Sequence, residues 1–217
     1  MVKVARVSDS SETLLDADAG TWRGLGTEKV ALMATPLVLQ PSEYVQNKWA
    51  TLHHGATSEV RVAAAHNGQA IFFRLEWDDA VDDSHPTDMA DFPDQAGVML
   101  PLKDTAVIEQ MGDEANPVNM WLWRADVETP YYVTAAGRGW ATRQADSPLS
   151  ARARWREGAW AVVISRPFNV SLPAAVVVPL APGIKHQCTF AVWQGSNKER
   201  AGLKSYGAVW QPLEIEQ

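Results

Sequence analysis

Cysteine is almost missing from this chain of 217 residues, in which Cys188 is the only one. A single thiol cannot form an internal disulfide, and it cannot supply the thiolate cluster that binds structural zinc or an iron–sulfur centre. The same scarcity excludes the C-x-x-C-H motif that attaches haem covalently. We therefore expect Cys188 to be a small, buried apolar residue.

Positive charge and long apolar runs are also in short supply. Nineteen Lys and Arg stand against 26 Asp and Glu, a net charge of −7, so no basic stripe is available for nucleic-acid phosphates. The longest apolar stretch, LPAAVVVPLAPGI, contains three prolines and is too short to span a membrane. The first residues, MVKVARVSDSSETLL, lack the apolar core of a signal peptide. They indicate either a cytoplasmic protein or the mature form of an exported one.

Recognisable catalytic motifs are missing as well. The chain has no G-x-S-x-G, no phosphate-binding glycine motif and no Ser-His-Asp spacing, which favours a protein that is not an enzyme. The acidic run at 77–94 lacks the regular ligand spacing of a calcium loop, so we interpret it as a solvated loop. His53 and His54 are adjacent, and adjacent side chains diverge in a strand, so we do not expect them to bind a metal.

Tryptophan, in contrast, is abundant, with ten Trp against five Phe and four Tyr. Alternating apolar residues surround two turn signals, Asn67-Gly68 within 59–79 and Glu157-Gly158 within 151–168, and each pattern predicts a β-hairpin. Further strands are predicted at QAGVMLP, PVNMWLWRAD, AAVVVPL and QCTFAVWQG. The pattern predicts an all-β fold, an antiparallel β-sandwich with long loops and at most short helices. We expect a single domain, 1–217, whose long connections at 78–95 and 101–117 flank a functional site.

Four motifs recur in an order that resembles a known family. They are F-P-D-x-x-x-V, M-G-D-x-x-x-P-V-x-x-W-x-W-R-A-D, A-V-W-x-G-S-N-x-E-R-x-G-x-K and W-x-x-L-E-I. Over 35–215 the chain resembles the haem b-binding γ subunits of the ethylbenzene dehydrogenase type. The resemblance implies a non-catalytic, electron-transferring β-sandwich with one noncovalent haem b. It also implies an iron–sulfur β subunit, a molybdenum-containing catalytic α subunit and a soluble c-type cytochrome as partners, and a periplasmic location.

The resemblance also implies that one Met and one Lys bind the haem iron. The Met-Gly motif falls on Met111 and the G-x-K motif on Lys204, and Met99 and Lys198 remain the alternatives. Further cofactor-binding residues follow from the same resemblance. We expect Trp121 and Trp123 to wall the haem, and an arginine to bind its propionates: Arg124, Arg138 or Arg143.

A carbohydrate-binding module is the main alternative function. Such a β-sandwich stacks exposed tryptophans on sugar rings, and the ten Trp of this chain suit that role. It would need exposed aromatics on one face and has no use for a converging Met and Lys.

Overall fold

Strands make up most of the fold. The computed structural model describes residues 1–173 and 176–217. Its strands are β1 (Val2–Arg6), β2 (Glu28–Ala31), β3 (Met33–Ala34), β4 (Glu59–His66), β5 (Ala70–Asp78), β6 (Gln95–Pro101), β7 (Val118–Arg124), β8 (Tyr131–Ala135), β9 (Ala141–Arg143), β10 (Ser150–Arg156), β11 (Ala159–Pro167), β12 (Lys185–Trp193), β13 (Ser205–Tyr206) and β14 (Gln211–Ile215). The helices α1 (Ser11–Leu15), α2 (Gly20–Gly24) and α3 (Glu43–Trp49) are short, and a 3-10 turn spans Leu37–Leu39. None of the helices in the described ranges has the length and apolar character needed to cross a bilayer.

Two sheets pack face to face, as the sequence predicts. One has the order β10-β11-β5-β4-β1-β14 and the other the order β12-β6-β7-β8-β9. Strand β12 belongs to both, because its first half, through Cys188, pairs with β14 and its second half, from Thr189, pairs with β6. Pairing is antiparallel except at β1, which lies parallel to both β4 and β14. The predicted antiparallel β-sandwich with short helices is confirmed, with this one parallel insertion.

The two predicted hairpins form as expected. Strands β4 and β5 join through a turn in which Gly68 has φ +84°, and β10 and β11 join through Gly158 at φ +77°. Both values lie in the left-handed region, which glycine enters without a Cβ clash. The prediction of a strand at AAVVVPL is wrong for the residues of this stretch that the structure describes. Residues 177–180 have no regular structure, because prolines interrupt the pairing there, and residues 174–175 lie outside the described ranges.

The space between the sheets is filled by alternating side chains. From β5 it receives Ile71, Phe73, Leu75 and Trp77, all fully buried. Cys188 is also fully buried in this core, as predicted. Because side chains alternate along a strand, β6, β7 and β12 each have a second, outward face, and that outward face carries the candidate site.

Candidate functional site

A cleft lies over the outward face of β6, β7 and β12. The strand register sets Gly97 beside Leu122 and Met99 beside Met120 on this face. The cleft has a volume of about 510 Å³ and narrows into a smaller, mostly apolar extension of about 30 Å³. Both parts are lined by one shared set of residues: Met111, Met120, Leu122, Arg138, Trp193 and Lys204. The volume and the apolar floor are typical of a small-molecule or cofactor site.

Lys204 reaches this cleft from the end of a loop that is fixed by hydrogen bonds. Its carbonyl accepts bonds from Thr35, at 3.0 Å from the backbone N–H and 3.2 Å from the hydroxyl. Gln40 donates to the carbonyl of Gly202 at 2.9 Å, and its amide lies so close to Gly202 that a Cβ there would clash. The glycine of the G-x-K spacing lets the Gln40 amide pack directly on the loop backbone, and a larger residue there would have to displace that side chain.

The start of the same loop is tied down by a buried carboxylate. Glu199 is fully buried and accepts backbone N–H bonds from Gly55 at 2.7 Å, Ala56 at 2.9 Å and Gln194 at 3.1 Å. Several N–H donors are what a buried carboxylate needs to offset its lost hydration. Glu199 thus anchors the lysine loop to the segment before β4.

The amine of Lys204 is buried without an ionic partner. The residue is 7% exposed, and its Nζ lies 3.9 Å from Met111 Sδ and 4.9 Å from the centre of the Trp193 ring. Within residues 1–173 and 176–217 no carboxylate forms an ion pair with it. Burial, and then the charge of Arg138, lower the pKa of Lys204 to about 8. The neutral form of this amine, which can bind a metal ion, therefore forms at a lower free-energy cost at physiological pH than that of an ordinary lysine.

Met111 occupies a turn position that normally favours glycine. Gly112 N–H donates to Val107 O at 3.1 Å and Met111 N–H donates to Ile108 O at 2.9 Å, the two bonds of a Schellman turn. Met111 adopts φ 58°, in the left-handed region, which costs a non-glycine residue about 1–2 kcal/mol. Strain of this kind is typical of functional positions.

The next residue explains the glycine of the Met-Gly pair. Gly112 has φ 74°, and a Cβ on it would lie 2.5 Å from the carbonyl oxygen of Asn116. The Met-Gly pair thus combines a strained methionine with a glycine that lets the loop fold back on itself.

A thioether and an amine that meet in an apolar cleft are a suitable donor set for haem iron. Met111 Sδ and Lys204 Nζ approach to 3.9 Å, so these are the two residues that would hold the iron. In contrast, among the described residues no three His, Cys, Asp or Glu side chains converge as a metal site. The residues fit a haem with a Met and a Lys ligand.

Comparison with known proteins gives the family. The model described as "Ethylbenzene dehydrogenase" matches residues 19–147 and 134–205. The chain belongs to the ethylbenzene dehydrogenase family. It is 34% identical over 166 residues to the chlorate reductase subunit gamma of Ideonella dechloratans, covering 73% of this chain and 65% of that protein. It is 30% identical over 161 residues to the dimethylsulfide dehydrogenase subunit gamma of Rhodovulum sulfidophilum, covering 69% and 57%.

A third relative in the comparison bears haem in its name. This is a proposed respiratory nitrate reductase heme subunit of Haloferax mediterranei, 35% identical over 147 residues that cover 67% of this chain and 52% of that protein. The chain therefore spans about half to two thirds of the length of these curated relatives.

Solved structures resemble this member of the ethylbenzene dehydrogenase family in fold. One is a carbohydrate binding module of family 9 from Caldicellulosiruptor kristjanssonii in complex with glucose, with TM-score 0.53 and 9% identity over 99% of this chain and 95% of the other. Another is a proposed carbohydrate-binding protein from Bacteroides uniformis, with TM-score 0.55 and 11% identity over 100% and 97%. At these identities the likeness supports the β-sandwich alone.

The rival Met and Lys occupy different positions. Met99 lies on the cleft face of β6 and lines only the smaller extension. Lys198 lies outside the cleft, where it is exposed and pairs with Asp91 at 3.1 Å. The structure brings Met111 and Lys204 together, keeps Met99 nearby and separates Lys198 from all three.

The expected roles of Trp121, Trp123 and Arg124 need correction. Trp121 and Trp123 point into the core, where Trp121 packs against Phe73, and neither lines the cleft. The reason is the period of two along β7, which turns each Trp away from its neighbours on the cleft face. Arg124 also does not line the cleft, because its guanidinium binds Asp126 through two hydrogen bonds, at 3.0 and 2.8 Å.

Several cleft residues were missed by sequence reasoning. Met120 and Leu122, the alternating neighbours of the two tryptophans, form the floor, and Trp193 forms part of the wall. The floor could have been predicted from the alternation along β7. The large Trp rings are expected to pack in the core, so the even-numbered residues between them must face the cleft. Trp193 follows only from the pairing of β12 with β6, which depends on long-range contacts.

Proposed function

We propose that this chain is an electron-transfer subunit that carries one noncovalent haem b, with Met111 and Lys204 as the two axial ligands. On this proposal 1–217 acts as one haem-binding domain and is not itself a catalyst. The observation that carries the proposal is the 3.9 Å approach of Met111 Sδ to the buried amine of Lys204. The gamma and heme subunits among its relatives support the same function.

The chain's own residues do three things at this site. Met111 offers a neutral thioether, which favours the reduced state of a bound iron and raises its potential. Lys204 offers an amine whose proton is cheap to remove: with a pKa of about 8, release at pH 7 costs about 1.4 kcal/mol, against about 5 for an unperturbed lysine. The apolar floor and the Trp193 ring would pack against the haem and keep water from it. When bound, the haem would supply one-electron transfer, and with Met111 and Lys204 as its ligands it would offer substrate no open position.

Partners and location extend the proposal. We propose that the chain passes electrons between an iron–sulfur β subunit with its molybdenum-containing α subunit and a soluble c-type cytochrome, in the periplasm. The names "subunit gamma" of two relatives support a multisubunit complex. The direction of electron flow depends on whether the catalytic subunit oxidises or reduces its substrate.

A visible spectrum of the purified, haem-reconstituted chain tests the function. We expect a low-spin, six-coordinate haem in both redox states that is extracted by acid-acetone, because no thioether bond holds it. Lys204→Ala and Met111→Ala should each abolish the six-coordinate spectrum, whereas the matched controls Lys198→Ala and Met99→Leu should retain it. If either control alone abolishes it, the ligand assignment is wrong. If no variant changes it, Met/Lys ligation is wrong.

The wild-type site should also have an acid limit. As pH falls from 8 to 4, protons compete with iron for the Lys204 amine, so the low-spin spectrum should give way to a five-coordinate or water-ligated one. Lys204→Ala should resemble that acid form already at pH 7. An absorbance titration of wild type, Lys204→Ala and Lys198→Ala measures both effects.

The carbohydrate-binding alternative rests on the fold likeness and the many tryptophans. Of the ten Trp, all within the described residues, only Trp140 is exposed, and one exposed ring is a poor platform for a sugar chain. A colourless protein that binds oligosaccharide in an affinity titration would favour this alternative over the haem proposal.

A further inference from the structure

The cleft is cationic in a protein whose net charge is −7. Among its described lining residues there is no Asp or Glu, but there are four cations: Arg138, Arg143, Arg200 and Lys204. None of the three arginines forms an ion pair with a carboxylate in the described part of the chain. A concentration of unpaired guanidinium groups is unfavourable by itself. It points to a ligand that brings negative charge.

The three guanidinium groups are held in different ways. Arg138 donates from Nε to the carbonyl of Glu109, which lies two residues before Met111. Arg143 stacks on the ring of Tyr131, with 3.7 Å from its Cζ to the ring centre. Arg200 stacks on Phe92 at 4.2 Å and donates to the carbonyl of Lys198 at 2.9 Å. A stacked guanidinium keeps N–H donors free in its own plane, which is the geometry that binds a carboxylate.

Depth in the cleft separates these arginines. Arg138 lines both the cleft and its inner extension, and it is close enough to Lys204 to lower the pKa of that amine. Arg143 and Arg200 line the outer part but not the inner extension, and Arg200 also borders a neighbouring groove beside Phe92. They come from different elements, Arg143 from the end of β9 and Arg200 from the loop before Lys204. Two stacked, unpaired guanidinium groups thus stand on the outer side of the Met111–Lys204 pair.

We propose that Arg143 and Arg200 bind the two propionate carboxylates of haem, the ligand whose iron Met111 and Lys204 would hold. This inference rests on the proposed function. Arg138 instead positions the Met111 turn through the carbonyl of Glu109. Arg124 takes no part, because it lies outside the cleft and its guanidinium is turned to Asp126, to which two of its N–H groups donate.

Paired titrations with haem and with haem dimethyl ester test this assignment, because the ester lacks both carboxylate charges but keeps the iron and the ring. Apo-protein is titrated with each ligand, and the Soret absorbance gives the Kd. Wild type should bind haem more tightly than the ester. Arg143→Gln and Arg200→Gln should each weaken haem binding about tenfold, the loss of about 1.4 kcal/mol expected for one charge-assisted bond. Neither variant should change the Kd for the ester.

Controls separate the assignment from a general effect on the fold or on charge. Arg124→Gln removes an equal charge from the end of β7 and should leave both Kd values unchanged. Arg200→Lys, which keeps the charge but not the planar fork, should recover part of the haem affinity, and thermal unfolding of each apo variant reports whether the loop still folds. The assignment is overturned if Arg143→Gln and Arg200→Gln weaken haem and ester equally, or if Arg124→Gln matches them.

The two proposals can fail separately. If haem binds with a spectrum that depends on Met111 and Lys204 while the arginine variants bind it as wild type does, the propionate assignment is wrong and the proposed function stands. If wild-type apo-protein binds neither haem nor its ester, both proposals are wrong.

Discussion

Two buried cations lie over tryptophan rings, one on each side of the same sheet. In the core, Arg166 is fully buried, with its Cζ 5.1 Å from the centre of the Trp121 ring. In the cleft, Lys204 is 7% exposed, with its Nζ 4.9 Å from the centre of the Trp193 ring. Burial and aromatic contact are thus nearly the same at the two sites, but the hydrogen bonding is not.

Oxygen acceptors make the difference. Arg166 donates to the carbonyl of Val178 at 3.0 Å, to that of Pro167 at 3.2 Å and to the hydroxyl of Tyr132 at 3.4 Å. Lys204, among the described residues, has only the Met111 sulfur within hydrogen-bonding distance, and sulfur is a weak acceptor. A buried cation that is well bonded stabilises the fold, whereas one without acceptors costs stability and is poised to lose its proton. Hydrogen bonding therefore separates the structural cation from the one that we propose as an iron ligand.

Replacing the core cation should have the largest effect. Arg166→Leu keeps an apolar side chain over Trp121 but leaves the carbonyl of Val178 and the hydroxyl of Tyr132 without a donor. We expect the free energy of unfolding of the apo-protein to fall by about 3 kcal/mol, from about 1–3 for each orphaned group. Urea denaturation at pH 7 measures it. A gain in stability would show that the bonds of Arg166 do not offset its desolvation, and the contrast between the two cations would be lost.

Replacing the cleft cation, Lys204, by an apolar residue should instead raise the free energy of unfolding. Lys204 has a folded pKa of about 8, below its ordinary value of 10.5, so the unfolded chain binds its proton more tightly than the fold does. Stability is therefore lowest below pH 8 and rises between pH 8 and 10.5. Lys204→Met should remove that penalty and stabilise the apo-protein at pH 7, by at most about 3 kcal/mol.

Urea denaturation of wild type and Lys204→Met from pH 6 to 10.5 tests this prediction. The difference between the two should shrink as pH rises through the window. Lys198→Met is the matched control and should show no such change, because Lys198 is exposed. A loss of stability in Lys204→Met at pH 7 would contradict the penalty that the contrast requires.

A buried carboxyl extends the comparison to negative charge. Asp79 is 3% exposed, its Oδ1 accepts from Val81 N–H at 3.2 Å, and its Oδ2 has no partner in the described part of the chain. Burial, and then the charge of Asp94, raise the pKa of Asp79 to about 7. The stabilisation from holding this proton is full below about pH 4 and is lost as pH rises through 7.

Asp79→Asn tests that pH window. The variant keeps an oxygen for Val81 and should lose less stability between pH 5 and 8 than wild type, in which the titration of Asp79 contributes a loss of roughly 2–3 kcal/mol. Burial also raises the pKa of Asp94, so this second carboxyl retains part of the pH dependence in the variant. The exposed neighbour Asp82→Asn should behave as wild type. Equal pH dependence in all three proteins, measured by thermal unfolding, would show that Asp79 is ionised in the fold throughout.

Local pattern in the sequence was sufficient for most of the fold. The hairpins at Gly68 and Gly158 combine strict alternation with turn residues that adopt positive φ, and each signal lies within about twenty residues. The parallel insertion of β1 between β4 and β14 could not be predicted in this way. It pairs residues that lie far apart in the chain, and β1 has no local signal for its partners.

The family resemblance pointed to two residues that meet in the cleft, Met111 and Lys204, but not to the residues that form its walls. The face of each β7 residue depends on which side of the sheet holds the core. Trp121 and Trp123 were expected beside the ligand and lie in the core instead. Arg200 was overlooked, because its position at the cleft depends on how the loop from 194 to 204 folds.

The smallest expected effects on stability come from two strained turns, one inside the cleft and one outside it. Gly112 and Glu199 close Schellman turns in which Met111 has φ 58° and Lys198 has φ 59°. Glycine at either position should relieve about 1–2 kcal/mol of backbone strain. Met111→Gly loses partly buried apolar contacts and Lys198→Gly loses an exposed ion pair with Asp91, worth about 0–1 kcal/mol. The free energy of unfolding of each apo variant should therefore stay within about 1 kcal/mol of wild type.

The haem spectra of Met111→Gly and Lys198→Gly should differ completely, although both substitutions place glycine at a position with positive φ. Met111→Gly removes the thioether from the cleft, so reconstituted haem should lose its six-coordinate, low-spin spectrum. Lys198→Gly should keep that spectrum and its acid transition, because Lys198 lies outside the cleft. Urea denaturation and absorbance on the same two variants separate strain from ligation. A low-spin spectrum in Met111→Gly would mean that Met99, on β6, supplies the sulfur and that the positive φ of Met111 is needed only to form the turn.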